Sequence, residues 1–127
     1  MISDTFGKFD KRKKIINIIK ENLKNNKITL VISKNLYLNL LNVIDIVSAI
    51  RLILKKNFQS GIYLLKNNKD FSIFKIIKEL NTSSSGKARV RWLSTKIIRE
   101  KIYNYKILKG WKPKNSSIAE IIDVIKN

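Results

Sequence analysis

Reactive side chains are scarce in this 127-residue chain, and that scarcity limits the chemistry open to it. It has no histidine, the commonest general base and metal ligand near neutral pH. It has no cysteine, so disulfides and thiolate metal sites are excluded. Nine carboxylates are scattered from Asp4 to Asp123, none grouped at metal-ligand spacing, so a metal enzyme is not expected. Tyr105 and Lys109 stand at Tyr-x-x-x-Lys spacing, but with four tyrosines and 22 lysines one such pair arises readily by coincidence.

Cations are the abundant functional groups. The formal charge is +18, from 22 Lys and 5 Arg against the nine acids. Such a balance raises nucleic acid or another polyanion as a partner. The lysines are spread along the whole chain, however, and Lys, Ile and Asn together are what an A/T-rich coding sequence favours. We read most of the charge as solvated surface. Arg89 and Arg91 alternate beside Lys87 and Trp92, a mixture of cations and an aromatic that would suit single-stranded nucleic acid. A solvated strand face is the preferred reading there, and a small basic nucleic-acid-binding protein is the alternative for the chain as a whole.

These residues need elements to hold them, and the hydrophobic pattern supplies a mixed α/β (α+β) set. Ile15, Ile16, Ile18, Ile19 and Leu23 recur at helical spacing within 12–25. "ITLVI" (28–32), "LYLNLL" (36–41), "IYLL" (62–65) and "ARVRW" (88–92) read as strands. Asp45 is expected to cap a helix whose Ile46, Val47, Ile50, Ile53 and Leu54 form a broad buried stripe. Ser72 is expected to cap another, carrying Ile73, Phe74, Ile76, Ile77 and Leu80, and 81–87 reads as a flexible loop. A helical turn or two is expected within 95–109, stopped by Gly110, which tolerates positive φ, and by Pro113. Trp111 would pack in that corner. Ser117 and Glu120 have the spacing of a capping box opening a last helix. The amino terminus has no signal-peptide core. The most apolar region, 40–54, is interrupted by Asp45 and Arg51 and falls short of the ~20 residues of a bilayer span. A cytoplasmic protein with no membrane partner is expected.

Four stretches, in order, resemble the carboxy-terminal, substrate-side portion of the extended short-chain dehydrogenases/reductases, the NAD-dependent epimerases and dehydratases of nucleotide sugars. "LKGWKPKNSSIAEII" is similar to the family's L-G-W-x-P tail and the helix after it, through Leu108, Gly110, Trp111, Pro113, Ser117 and Glu120. "SDTFGKFDKRKK" is similar to Y-G-P-x-D-x-R, through Phe6, Gly7, Asp10 and Arg12. "LNLLNVIDIVSAI" is similar to D-F-V-H-V-D-D-V-x-x-A-I, with Asn39 and Asn42 at the first Asp and the His, and Asp45 at the second acid of the pair. "GIYLLKNNKDFSIFKIIKEL" fits the segment that follows. Lys8, Leu38, Ile44, Lys66 and Asn67 depart from the pattern.

The resemblance covers nearly all of 1–127 as one region, and it implies that the chemistry lies elsewhere. The family's Gly-rich dinucleotide turn and its catalytic Tyr-x-x-x-Lys precede the Phe-Gly segment, and here only residues 1–5 do so. Four isolated glycines make no G-x-G-x-x-G, and Tyr105–Lys109 comes too late in the order. The expectation is a truncated or split nucleotide-sugar epimerase/dehydratase, inactive alone, lacking its Rossmann half. NAD or NADP would be a cofactor only of the intact enzyme. The setting would be sugar-nucleotide metabolism, including polysaccharide biosynthesis. The substrate would be a nucleotide-diphosphate sugar, with Arg99 at the position of an arginine that contacts the diphosphate, and Asn39 and Arg12 as further substrate contacts.

Overall fold

A computed structural model of the chain describes residues 1–102 and 104–127. Among them are four helices and nine short strands. The first strand, β1 (Asp4–Phe6), pairs in parallel with β4 (Leu40–Asn42), Thr5 opposite Leu41. β2 (Ile28–Val31) pairs in parallel with β7 (Arg89–Trp92). β3 (Leu36–Leu38) lies between antiparallel β6 (Phe71–Ser72) and parallel β8 (Ile98–Arg99). β5 (Tyr63–Leu64) pairs in parallel with β9 (Lys106–Ile107).

The run read as one strand, 36–41, is two. Asn39 turns the chain from the three-stranded sheet containing β3 to the pair containing β4. Along β4, successive side chains point to opposite faces, so Leu40 and Leu41 enter different cores. Leu40 joins the larger core with Phe6, Ile16, Ile19, Ile76 and Ile121. Leu41 joins a smaller one with Ala49, Leu65 and Leu108, against which Trp111 packs.

Helix α1 (Ile15–Lys24) buries Ile16 and Ile19, as its spacing predicts. α3 (Ile73–Ser83) is capped by Ser72, whose hydroxyl accepts from the Lys75 N–H at 3.2 Å. It runs into the segment read as a loop, and the Asn81 side chain closes the remainder by bonding both the N–H and the C=O of Ala88. α4 (Ile118–Lys126) is capped by Ser117, which accepts from the Glu120 N–H.

Two expectations are corrected. The described residues within 95–109 form no helix: the β-branched Ile98 and its neighbour Arg99 pair with β3, and Lys106–Ile107 pairs with β5, so sheet partners displace local helix formation. Gly110 does have φ +82°, but it serves a turn after β9, not a helix end. The second correction concerns α2 (Val43–Lys55). Its cap is Asn42, which accepts from the Ile44 N–H at 3.0 Å, while Asp45 points elsewhere. Nor is its stripe buried: Val47, Ile50, Ile53 and Leu54 are between 41% and 81% exposed, and the inward face carries Asp45 and Ala49.

Candidate functional site

Asp45 is 1% exposed and anchors the loop that opens the last helix. Its carboxylate accepts from the Lys114 N–H (2.9 Å), from the Asn115 N–H (2.9 Å) and side-chain amide (3.0 Å), and from the Ser116 hydroxyl (2.5 Å). Burial pushes this carboxyl up, but the converging donors outweigh it and hold it below the usual carboxylate range. The Trp111 indole N–H donates to the Asp45 carbonyl at 3.1 Å and to the Ser48 hydroxyl at 2.9 Å. The Gly-Trp-x-Pro corner is therefore fastened to the start of α2, and Asp45 is structural.

From this knot, buried amides lead to a second cluster. The Asn67 side chain donates to the carbonyls of Leu40 (3.0 Å) and Ser116 (2.6 Å). The Asn67 N–H donates to Asn39 Oδ1 at 2.7 Å. Asn39, 2% exposed, donates its own amide to Asp70 Oδ1 at 3.0 Å and to the Asn67 carbonyl at 3.1 Å. The other Asp70 oxygen lies 3.8 Å from the Arg99 guanidinium, which stacks over the Tyr37 ring at 4.3 Å. Two of the three sequence-predicted residues, Asn39 and Arg99, thus share one carboxylate. Glu100 ties the same region together, accepting from the Asn39 N–H at 2.9 Å and the Asp4 N–H at 3.2 Å.

Their exposures separate their roles. Asn39 is sealed in and its amide is engaged within the fold. The Arg99 side chain is 58% exposed, held from behind by Asp70 and Tyr37, so it can offer N–H donors to an anion. Arg12 lines a different groove of about 530 Å³ with Lys8, Phe9, Glu120 and Asp123. It is paired with Asp10 at 2.5 Å, and that hydrogen bond is the main reason the Asp10 carboxyl sits below its usual range. Sequence reasoning missed Tyr37, Asp70 and Glu100. For the two acids a signal existed, since few carboxylates are present among so many cations.

A dinucleotide's pyrophosphate is commonly held by a Gly-rich turn between strand and helix, and among the described residues no strand-to-helix connection carries more than one glycine. Here β4 runs straight into α2 through Asn42, with no glycine between them. Tyr105 and Lys109 flank an extended segment, so their spacing does not stack them as on a helix. Among the described residues no three metal-ligating side chains gather, and no helix is long and apolar enough to cross a membrane.

The architecture and its small sheets are the fold of the carboxy-terminal part of Rossmann-type NAD-dependent sugar epimerases and dehydratases. Among solved structures, the chain is similar to a UDP-glucose 4-epimerase from Thermus thermophilus in complex with NAD (TM-score 0.75, 15% identity, 99% of this chain and 45% of that one). It is similar to a UDP-glucuronic acid 4-epimerase from Bacillus cereus in complex with UDP-glucuronic acid and NAD (TM-score 0.75, 17% identity, 98% and 43%). A dTDP-glucose 4,6-dehydratase from Bacillus anthracis in complex with NAD gives a TM-score of 0.73 at 18% identity, over 98% of this chain and 42% of that one. The chain therefore spans less than half the length of the enzymes it matches. No family model and no curated protein matches it.

Proposed function

We propose that this chain forms the substrate-side wall of an NAD- or NADP-dependent nucleotide-sugar epimerase or dehydratase and acts together with a dinucleotide-binding half. The observation that carries this reading is the fit of 98–99% of the chain onto part of three such enzymes at TM-scores of 0.73–0.75. The dinucleotide, when bound in the other half, supplies the redox chemistry. The residues of this chain bind and orient the sugar nucleotide. Arg99 is the diphosphate contact, its guanidinium presenting paired donors that match two phosphate oxygens. Asn39 acts behind it by fixing Asp70. Arg12, paired with Asp10, lines a second groove and contacts the substrate from there. Alone, the chain is inactive. Its setting is cytoplasmic sugar-nucleotide metabolism that feeds polysaccharide biosynthesis.

Titrating the isotopically labelled chain with UDP-glucose tests the site. The expected result is weak binding with shifts at Tyr37, Asp70 and Arg99, abolished by Arg99→Ala. Calorimetry with NAD should give no stoichiometric heat. Tight NAD binding by the chain alone, or UDP-glucose binding unchanged by Arg99→Ala, would overturn the proposal.

A further inference from the structure

The strand β7 separates residues that are neighbours in sequence. Arg89 and Arg91 point to one face and are exposed, while Val90 and Trp92 point to the other and are half-buried. Arginines and tryptophan therefore do not share a surface. Trp92 instead meets Phe74 of α3, ring centroids 5.7 Å apart and tilted by 57°. Phe74 is 37% exposed, so the pair is open to solvent.

Lysines from four separate segments surround this aromatic pair. The Lys34 ammonium lies over the Phe74 ring at 4.6 Å. Lys78 and Lys87 line a groove of about 480 Å³ with Phe74 and Trp92. Lys75, Lys78 and Lys126 line a second groove of about 720 Å³, between α3 and α4. The two grooves share Phe74, Lys78 and Thr82, so they form one continuous surface. Its lining includes one acid, Glu79, 3.9 Å from Lys75. Lys126 also donates to the Ser83 carbonyl at 2.7 Å, which holds its ammonium at the groove wall.

We infer that this face binds single-stranded nucleic acid, an activity separate from the sugar-nucleotide site. Four lysines along the connected grooves, with Lys34 beside them over Phe74, supply cations for the charges of a phosphate backbone. Phe74, exposed at their junction and backed by the half-buried Trp92, offers a stacking platform for a base. A base stacked on Phe74 exchanges with Lys34, whose ammonium then turns to the adjoining phosphate. Paired bases in a duplex keep their faces stacked on one another, so only an unpaired strand can use the platform.

The test measures anisotropy of a labelled 20-nucleotide oligothymidine, its abasic counterpart and a duplex with the full-length chain at 150 mM salt. The base-carrying strand should bind about fivefold or more tighter than the abasic strand, the worth of one stacked base. Lys75→Glu/Lys78→Glu/Lys126→Glu should weaken binding at least about tenfold. Lys13→Glu/Lys24→Glu/Lys55→Glu, three exposed lysines away from the grooves, makes the same charge change and should weaken it far less. Phe74→Ala should abolish the preference for bases and leave abasic binding unchanged. Equal affinity for base-carrying and abasic strands in the unmodified protein overturns the inference without recourse to any variant. So does equal loss in the two triple variants, tighter binding to the duplex, or a stronger preference for phosphatidylserine vesicles.

Discussion

The Ser116 hydroxyl donates to the Asp45 carboxylate at 2.5 Å across 71 positions of sequence. Both residues are buried, at 7% and 1% exposure, and the Asn42 N–H donates to the same hydroxyl at 2.8 Å. One short side chain thus joins the end of β4, the first turn of α2 and the approach to α4.

Asp45→Asn should destabilise the chain by about 2–4 kcal/mol at neutral pH, because the buried donors facing the carboxylate lose their charged acceptor and meet an amide. The loss should depend on pH. The Asp45 carboxyl is held below its ordinary value of 3.8, so the folded state favours the ionised form. That stabilisation is complete above pH 3.8 and disappears as pH falls through the lower folded-state pKa. Denaturant melts should show the variant and the unmodified chain converging in acid. A gap that stays constant down to pH 2 would contradict this role for Asp45.

Gly7 closes the turn after β1 against the start of α2. A Cβ placed there would lie 2.1 Å from Val43 Cγ2, and a β-branched valine has little freedom to retreat. Gly7→Ala should cost about 1–3 kcal/mol through overpacking. Val43→Ala in the same chain should recover most of the loss. Urea midpoints of the single and double variants decide it, and no recovery in the double variant rules out the steric explanation.

Asn39→Ala removes both halves of a buried amide and strands the Asn67 N–H, so a loss of about 2–4 kcal/mol is expected. It also frees Asp70, so the Arg99 side chain should broaden in its NMR signals. Asn39→Asp retains the acceptor but sets a second acid against Asp70, and should rescue little. Full stability in Asn39→Ala would show that the amide network is dispensable.

The outward stripe of α2, with Val47, Ile50 and Leu54 at 46%, 48% and 81% exposure, is an uncovered apolar face. The chain alone should bind a hydrophobic dye and melt broadly. Replacing these three with serine should reduce dye binding while changing stability by no more than about 1 kcal/mol. A dinucleotide-binding half supplied in trans should suppress dye binding and raise the melting temperature. A sharp melt without dye binding for the unmodified chain would show that it needs no cover.

Signals confined to a few residues were legible in the sequence. α1 and α3 follow from their apolar spacing, and the caps Ser72 and Ser117 from hydroxyls placed three residues before the N–H they accept. Strands β2, β5 and β7 follow from short β-branched or aromatic runs, and the positive φ of Gly110 from the corner it makes. The order of the family-like stretches carried the fold. Tertiary contacts decided the rest, because the partners lie tens of residues away and leave no local trace. β8 and β9 exist only through β3 and β5, so a segment read as helical became extended. Asp45 had the composition and position of a cap, yet Asn42 capped α2 and freed the carboxylate for donors 69 to 71 positions on. Lysines that look evenly spread along the chain converge on Phe74 and Trp92, because α3, α4 and the segments that follow β2 and precede β7 meet at one face.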